Sequence, residues 1–121
     1  MSDQETPAGI TDTISPDAIY ELLADRRRRI TITCLNEYGN LALADLAEEV
    51  ASQEQNASIT EVSEEEVRRV YLSLWHSHIP KLAEVDVVAY CQNRDIVQQS
   101  ENAEQVERIR RRETPVDEAE A

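Results

Sequence analysis

Apolar residues recur at helical spacing along most of the chain and at strand spacing near its end. Ile19, Leu22 and Leu23 stand at i, i+3, i+4 behind Ser15-Pro16-Asp17. Ser15 suits an N-cap, Pro16 the first helical position, and Asp17 the positive end of the helix dipole. A helix to about Asp25 follows. Ile30, Cys34, Leu35 and Tyr38 share a face of a second helix, and Gly39 suits its left-handed terminus. Ile30-Thr31-Ile32-Thr33 alternates as a strand would, but the helical spacing runs on to Tyr38. Leu41 to Leu43 reads as a short strand. Leu43, Leu46, Ala47 and Val50 mark a third helix, and Gln53 to Thr60 reads as a polar loop. Ser63-Glu64-Glu65-Glu66 is a capping box opening a long helix. Val67, Val70, Tyr71, Leu74 and His78 form its stripe, and Trp75 is placed near that stripe. Pro80 should end or kink it, because it lacks a donor and crowds the preceding turn. Val85 to Tyr90 and Ile96 to Gln99 read as strands joined by a turn at Gln92-Asn93-Arg94-Asp95. Glu101 to Arg112 is read as a final, weakly amphipathic helix stopped at Thr114-Pro115.

The order helix, helix, short strand, helix, helix, strand, strand is that of a winged helix-turn-helix: mainly α with a small β-wing. Residues 1–14 are expected to be a disordered acidic tail, residues 15–100 the winged-helix domain, and residues 101–121 a helix with an acidic tail. No apolar run reaches membrane-spanning length, and the polar N-terminus does not resemble a secretory signal. The expected location is the cytoplasm.

Charge complicates any reading that involves DNA. The chain of 121 residues has a net charge of -13. Residues 15–100 alone carry 15 acids against 8 bases, a net of -7. All bases but Lys81 are Arg, and Phe is absent. This composition fits a molar-salt cytoplasm, where dense carboxylates keep a surface hydrated. At 1 M salt the Debye length is only about 3 Å, so repulsion between an acidic protein and DNA is largely screened. The counterion release that favours basic binders also shrinks. In a cytosolic setting Cys34 and Cys91 are expected as free thiols.

Three stretches resemble known regulators. SPDAIYELLADRRRRITITCL, residues 15–35, looks like the opening of many archaeal transcription regulators. LALADLAEEVA, residues 41–51, is similar to the second helix of winged regulators of the ArsR and MarR type. VYLSLWHSHIPKLAEVDVVAY, residues 70–90, resembles their recognition-helix end and wing entry, with His78, Ile79 and Leu82 ahead of Val87 and Val88. The combination resembles a family of small haloarchaeal winged-helix domains, which implies a DNA-binding regulator. The chain departs from the general pattern in the long connection Gln53 to Val62, in Pro80, and in Asp86, which stands where Gly is frequent.

At helical spacing Arg69, Ser73 and His76 form a polar face able to enter a major groove. Arg26, Arg27, Arg28 and Arg29 are a candidate phosphate clamp, although four successive helical residues point in all directions. Pairing with Asp25, Glu21 or other acids is the competing reading. Arg94 at the wing tip is a third candidate, beside the opposing charge of Asp95. Leu72 and Ile79 on the long helix, with Val106 and Ile109 on the last one, are the candidate surface of a homodimer. His76 and His78, two apart on a helix, cannot reach one metal ion, and the cysteines lack partners at ligand spacing. No metal or cofactor is expected. Without a phosphate-binding glycine loop or a distinct carboxylate pair, the chain reads as a non-enzyme. The expected partner is double-stranded DNA, bound as a dimer. The alternative is a protein-interaction module on the same scaffold without DNA.

Overall fold

The computed structural model describes residues 14–113. The tails expected at residues 1–13 and 114–121 lie outside that range. Ile14, expected in the disordered tail, is buried, and its backbone exchanges two hydrogen bonds with the Gln105 side-chain amide.

Helix α1, Pro16–Leu23, starts as expected: the Ser15 hydroxyl accepts from the Ala18 N–H at 3.2 Å. It ends two residues early, because Asp25 becomes the N-cap of α2, Arg26–Tyr38, accepting from the Arg28 N–H at 3.1 Å. The arginine run therefore forms the first turn of a helix, against the dipole, and that placement needs compensation. Gly39 ends α2 with φ of 82°, a conformation that a Cβ would strain.

Strand β1, Asn40–Ala42, leads into α3, Leu43–Gln55, which buries Leu43, Leu46, Ala47, Val50 and Ala51. The expected polar loop is more ordered than its composition suggests. Gln53 to Gln55 continue the helix, and Asn56 closes it in the left-handed region. The Ser58 N–H then donates to Glu61 in a capping box that the sequence reading did not anticipate, around a 3-10 turn at Ile59–Glu61. Val62 is buried. The long connection is thus a built corner between α3 and the next helix.

That helix opens with α4, Glu64–Ser73, where the Ser63 hydroxyl accepts from the Glu66 N–H at 3.1 Å. It widens into a π turn, Leu74–His78, and continues as α5, Ile79–Glu84. Pro80 neither ends nor breaks it. The Ile79 N–H bonds to Leu74 O, five residues back. The widened turn relieves the crowding a proline imposes on the carbonyl four residues behind it.

Asp86 adopts φ of 61°, so the position where glycine is frequent does require the left-handed region. Asp is among the side chains that tolerate it. Asn102 holds this corner, donating from its side chain to Val85 O and from its backbone to Asp86 O, both at 2.9 Å. The corner takes Val85 to Val87 out of the expected strand. Strand β2 is Val88–Cys91 and β3 is Ile96–Gln99. The sheet is antiparallel in the order β1-β3-β2, with Val97 facing Leu41 on one side and Tyr90 on the other. Helix α6, Ala103–Glu113, packs against α1 and α2. From α2 onward this is the winged helix-turn-helix arrangement, with α4 to α5 in the recognition position.

The core joins α1 to α5 with the sheet and Val106 of α6. It claims two residues expected at a dimer surface. Ile79 is 2% exposed and Val106 0%, so both are used within the chain. Ile109 packs against the core at its edge, and Leu72 is exposed. Trp75 goes the other way: expected near the core stripe, it is 43% exposed. No helix of the described residues is long and apolar enough to cross a membrane.

Candidate nucleic-acid interface

One tyrosine fastens the wing to α4, and a second braces the wing's own turn. The Tyr71 hydroxyl of α4 donates to Asp95 Oδ2 at 3.1 Å, and the Tyr90 hydroxyl of β2 donates to Asp95 Oδ1. Asp95 lies in the β2–β3 turn with φ of 55°, and its carbonyl accepts from the Leu43 N–H at 2.8 Å. The bond to Asp95, with burial, pushes the Tyr90 phenol up to about 12. Burial and the same carboxylate raise Tyr71. The acid beside Arg94 is therefore turned inward onto two phenols. Arg94 is exposed and makes no ion pair among the described residues.

Tyr71 also fixes the direction of the wing as seen from α4. At 100° per residue, Trp75, Arg68 and Leu72 lie about 40°, 60° and 100° round the helix from Tyr71, on the solvent side. Arg69 lies about 160° away on the same measure, and Ser73 beyond it. The expected reading face of Arg69, Ser73 and His76 is thus turned away from the wing. The wing-side arc carries Arg68, Leu72 and Trp75. Arg69 is engaged as well, with Nη2 at 2.9 Å from Glu65 and Nη1 at 3.6 Å from Glu66. Ser73 is half-buried. His76 is exposed, its ring edge-on to Trp75 at 4.6 Å between centroids. Arg68 is exposed and makes no ion pair among the described residues. Sequence reasoning missed it because Arg68 and Arg69 are neighbours, and only the position of the wing tells their faces apart.

The arginine run is bound internally. Arg28 donates to Leu22 O at 2.9 Å and Glu21 O at 3.0 Å, and Arg29 donates to Leu23 O at 2.6 Å. These cations cap the carbonyl end of α1, where positive charge is favoured, and so offset their unfavourable place at the start of α2. Arg27 forms a two-pronged ion pair with Glu54 of α3. Arg26 is exposed and reaches Glu54 O at 3.5 Å. Only Arg27 pairs with an acid, as the competing reading expected; Arg28 and Arg29 are held by backbone carbonyls instead. On α6, Glu107 is 7% exposed; burial works to raise its carboxyl, but bonds from Arg110 and Arg111 outweigh that and hold it low.

Among the described residues no group of three or more His, Cys, Asp or Glu side chains is placed to hold a metal ion. Cys34 is buried and Cys91 exposed, both free. Burial, with Glu49 and Glu37, pushes the Cys34 thiol up to about 11.

The model of one protein family, a domain of unknown function, DUF7344, matches residues 20–98. The chain belongs to the DUF7344 family. No curated protein and no solved structure matches it. The DUF7344 match begins within α1 and ends in β3, so it takes in the arginine run, the whole recognition helix and the wing. Helix α6 falls outside it.

Proposed function

We propose that this DUF7344 chain is a transcription regulator of a high-salt cytoplasm, laying the wing-side arc of α4 and the wing tip against double-stranded DNA. One observation carries the reading. Arg68 and Arg94 are exposed and free of ion pairs among the described residues, on the helix and the turn that Tyr71 and Asp95 tie together. A helix in the major groove with a cation on the adjacent wing is a workable docking geometry. The free guanidinium of Arg68 suits a guanine edge or a phosphate, and Leu72 suits a thymine methyl. Glu64 to Glu66 keep the N-terminus of α4 away from phosphates, so contact centres on the second and third turns. A two-fold dimer would read an inverted repeat.

Capture of genomic fragments by the purified chain in multimolar KCl tests this. Enrichment of a few fragments sharing an inverted repeat is expected. Arg68→Ala with Arg94→Ala should abolish it, while Arg69→Ala should reduce it little. A folded wild-type chain that enriches nothing at any salt concentration ends the DNA reading.

A second reading draws on Leu72 and Trp75, 39% and 43% exposed on the same arc. Exposed Trp on a rigid helix is a frequent anchor of protein interfaces. A protein partner on this face would be lost with Trp75→Ala and be insensitive to Arg94→Ala.

A further inference from the structure

The two histidines of the recognition helix differ: His76 is exposed, whereas His78, at the end of the π turn, is 8% exposed. The Nδ1 atom of His78 lies 3.3 Å from Nη1 of Arg28. The same guanidinium donates to Leu22 O and Glu21 O. It therefore joins the end of α1, the start of α2 and the π turn.

A guanidinium has donors only, so Nδ1 is the acceptor and the proton of neutral His78 sits on Nε2. An imidazolium has no lone pair for Arg28 and would face it as a like charge. The charged groups around His78 are Asp25 from the α1–α2 junction, Arg27 and Arg28 from α2, and Glu54 from α3. On its own helix Lys81 turns away to Glu21 of α1 at 3.5 Å. Burial, the largest influence, holds the imidazole below its ordinary range; Asp25 pulls it up, and Arg28 and Arg27 push it down.

We propose that the Arg28–His78 contact is a proton-sensitive latch: one proton taken up by His78 breaks it and loosens the π turn of the recognition helix from the α1–α2 junction. The π turn is where the helix can yield. Its closing bond runs five residues, from Ile79 N to Leu74 O, and Pro80 beyond it has no N–H to contribute. Trp75 lies on the side of this turn that meets solvent, with exposed Leu72 just ahead of it in α4, so the latch acts on the exposed arc whatever that arc binds.

The folded chain takes this proton less readily than the unfolded chain. The stabilising contribution is therefore complete above the ordinary histidine value of 6.5 and declines as pH falls from there through the folded value.

The test uses the full chain in multimolar KCl and compares wild type, His78→Gln and the control His76→Gln. A Gln oxygen still accepts from Arg28 and does not titrate. Amide exchange in residues 74–79, corrected for intrinsic rates, and Tm are followed from about pH 7.5 to about pH 5.5. Wild type and His76→Gln should lose roughly tenfold protection there and roughly 5 °C in Tm, with His78→Gln unchanged. Equal acid losses in wild type and His78→Gln overturn the latch. Should His78→Gln fail to fold, the wild-type imidazole is titrated by nitrogen NMR. Coincident titration of the ring and the π-turn amides supports the latch, and ring titration with those amides unmoved overturns it.

Discussion

The start of α2 and the face between α4 and the wing use positive charge in opposite ways. Arg26 to Arg29 are the densest cations in the sequence, yet Arg27, Arg28 and Arg29 are spent on Glu54 and on the carbonyl end of α1. Arg68 and Arg94 stand outside any run in a strongly acidic sequence, yet they are exposed and without an ion pair among the described residues. Charge density along a chain is therefore a poor guide to charge offered at a surface. A run of cations beside a helix terminus meets carbonyls within its own reach. A single cation on a turn keeps its field when its acidic neighbour is bound elsewhere, as Asp95 is by Tyr71 and Tyr90.

The comparison is sharpest where a structural cation is removed. Arg27→Ala leaves Glu54, whose side chain is only 15% exposed, without its partner. Loss of one member of such a pair should cost about 3 kcal/mol, read as a fall in the denaturation midpoint. If Arg27→Ala is neutral, the Glu54 pair is not structural and Arg27 returns as a candidate phosphate contact. Tyr71→Phe removes one of the two bonds to Asp95 and should cost about 1 kcal/mol, again by denaturation. It should also weaken any binding that needs the wing held against α4. Smallest of all, Arg68→Ala and Arg94→Ala should each change stability by less than about 0.5 kcal/mol, since neither holds anything within the chain. A larger loss on thermal melting would show that these arginines have internal partners and are not free for DNA.

Much of the architecture was legible in local chemistry. Ser15-Pro16, the Ser63 N-cap and Gly39 predicted element ends correctly, because a cap is a contact among neighbours. The wing turn at Gln92 to Asp95 and strand β3 were legible for the same reason. The connection from Gln53 to Val62 was not: its order rests on Asn56 in the left-handed region and on the burial of Val62, neither visible as a hydrophobic period. Strand β2 started later than its apolar run, because Asn102, fourteen residues beyond Val88, fixes the corner at Asp86. The proposed site lies on a different face of α4 from the one that spacing suggests, since helical spacing groups residues without saying where the wing will lie.

Alone, the sequence determined the element order, the caps and the acidic character of the chain, because these depend on residue type and near neighbours. Only the tertiary structure decided which arginines are free, that Ile79 and Val106 belong to the core, and that Trp75 faces solvent. Those outcomes depend on which distant backbone atoms and side chains come within reach. Spacing along a chain carries no information about that.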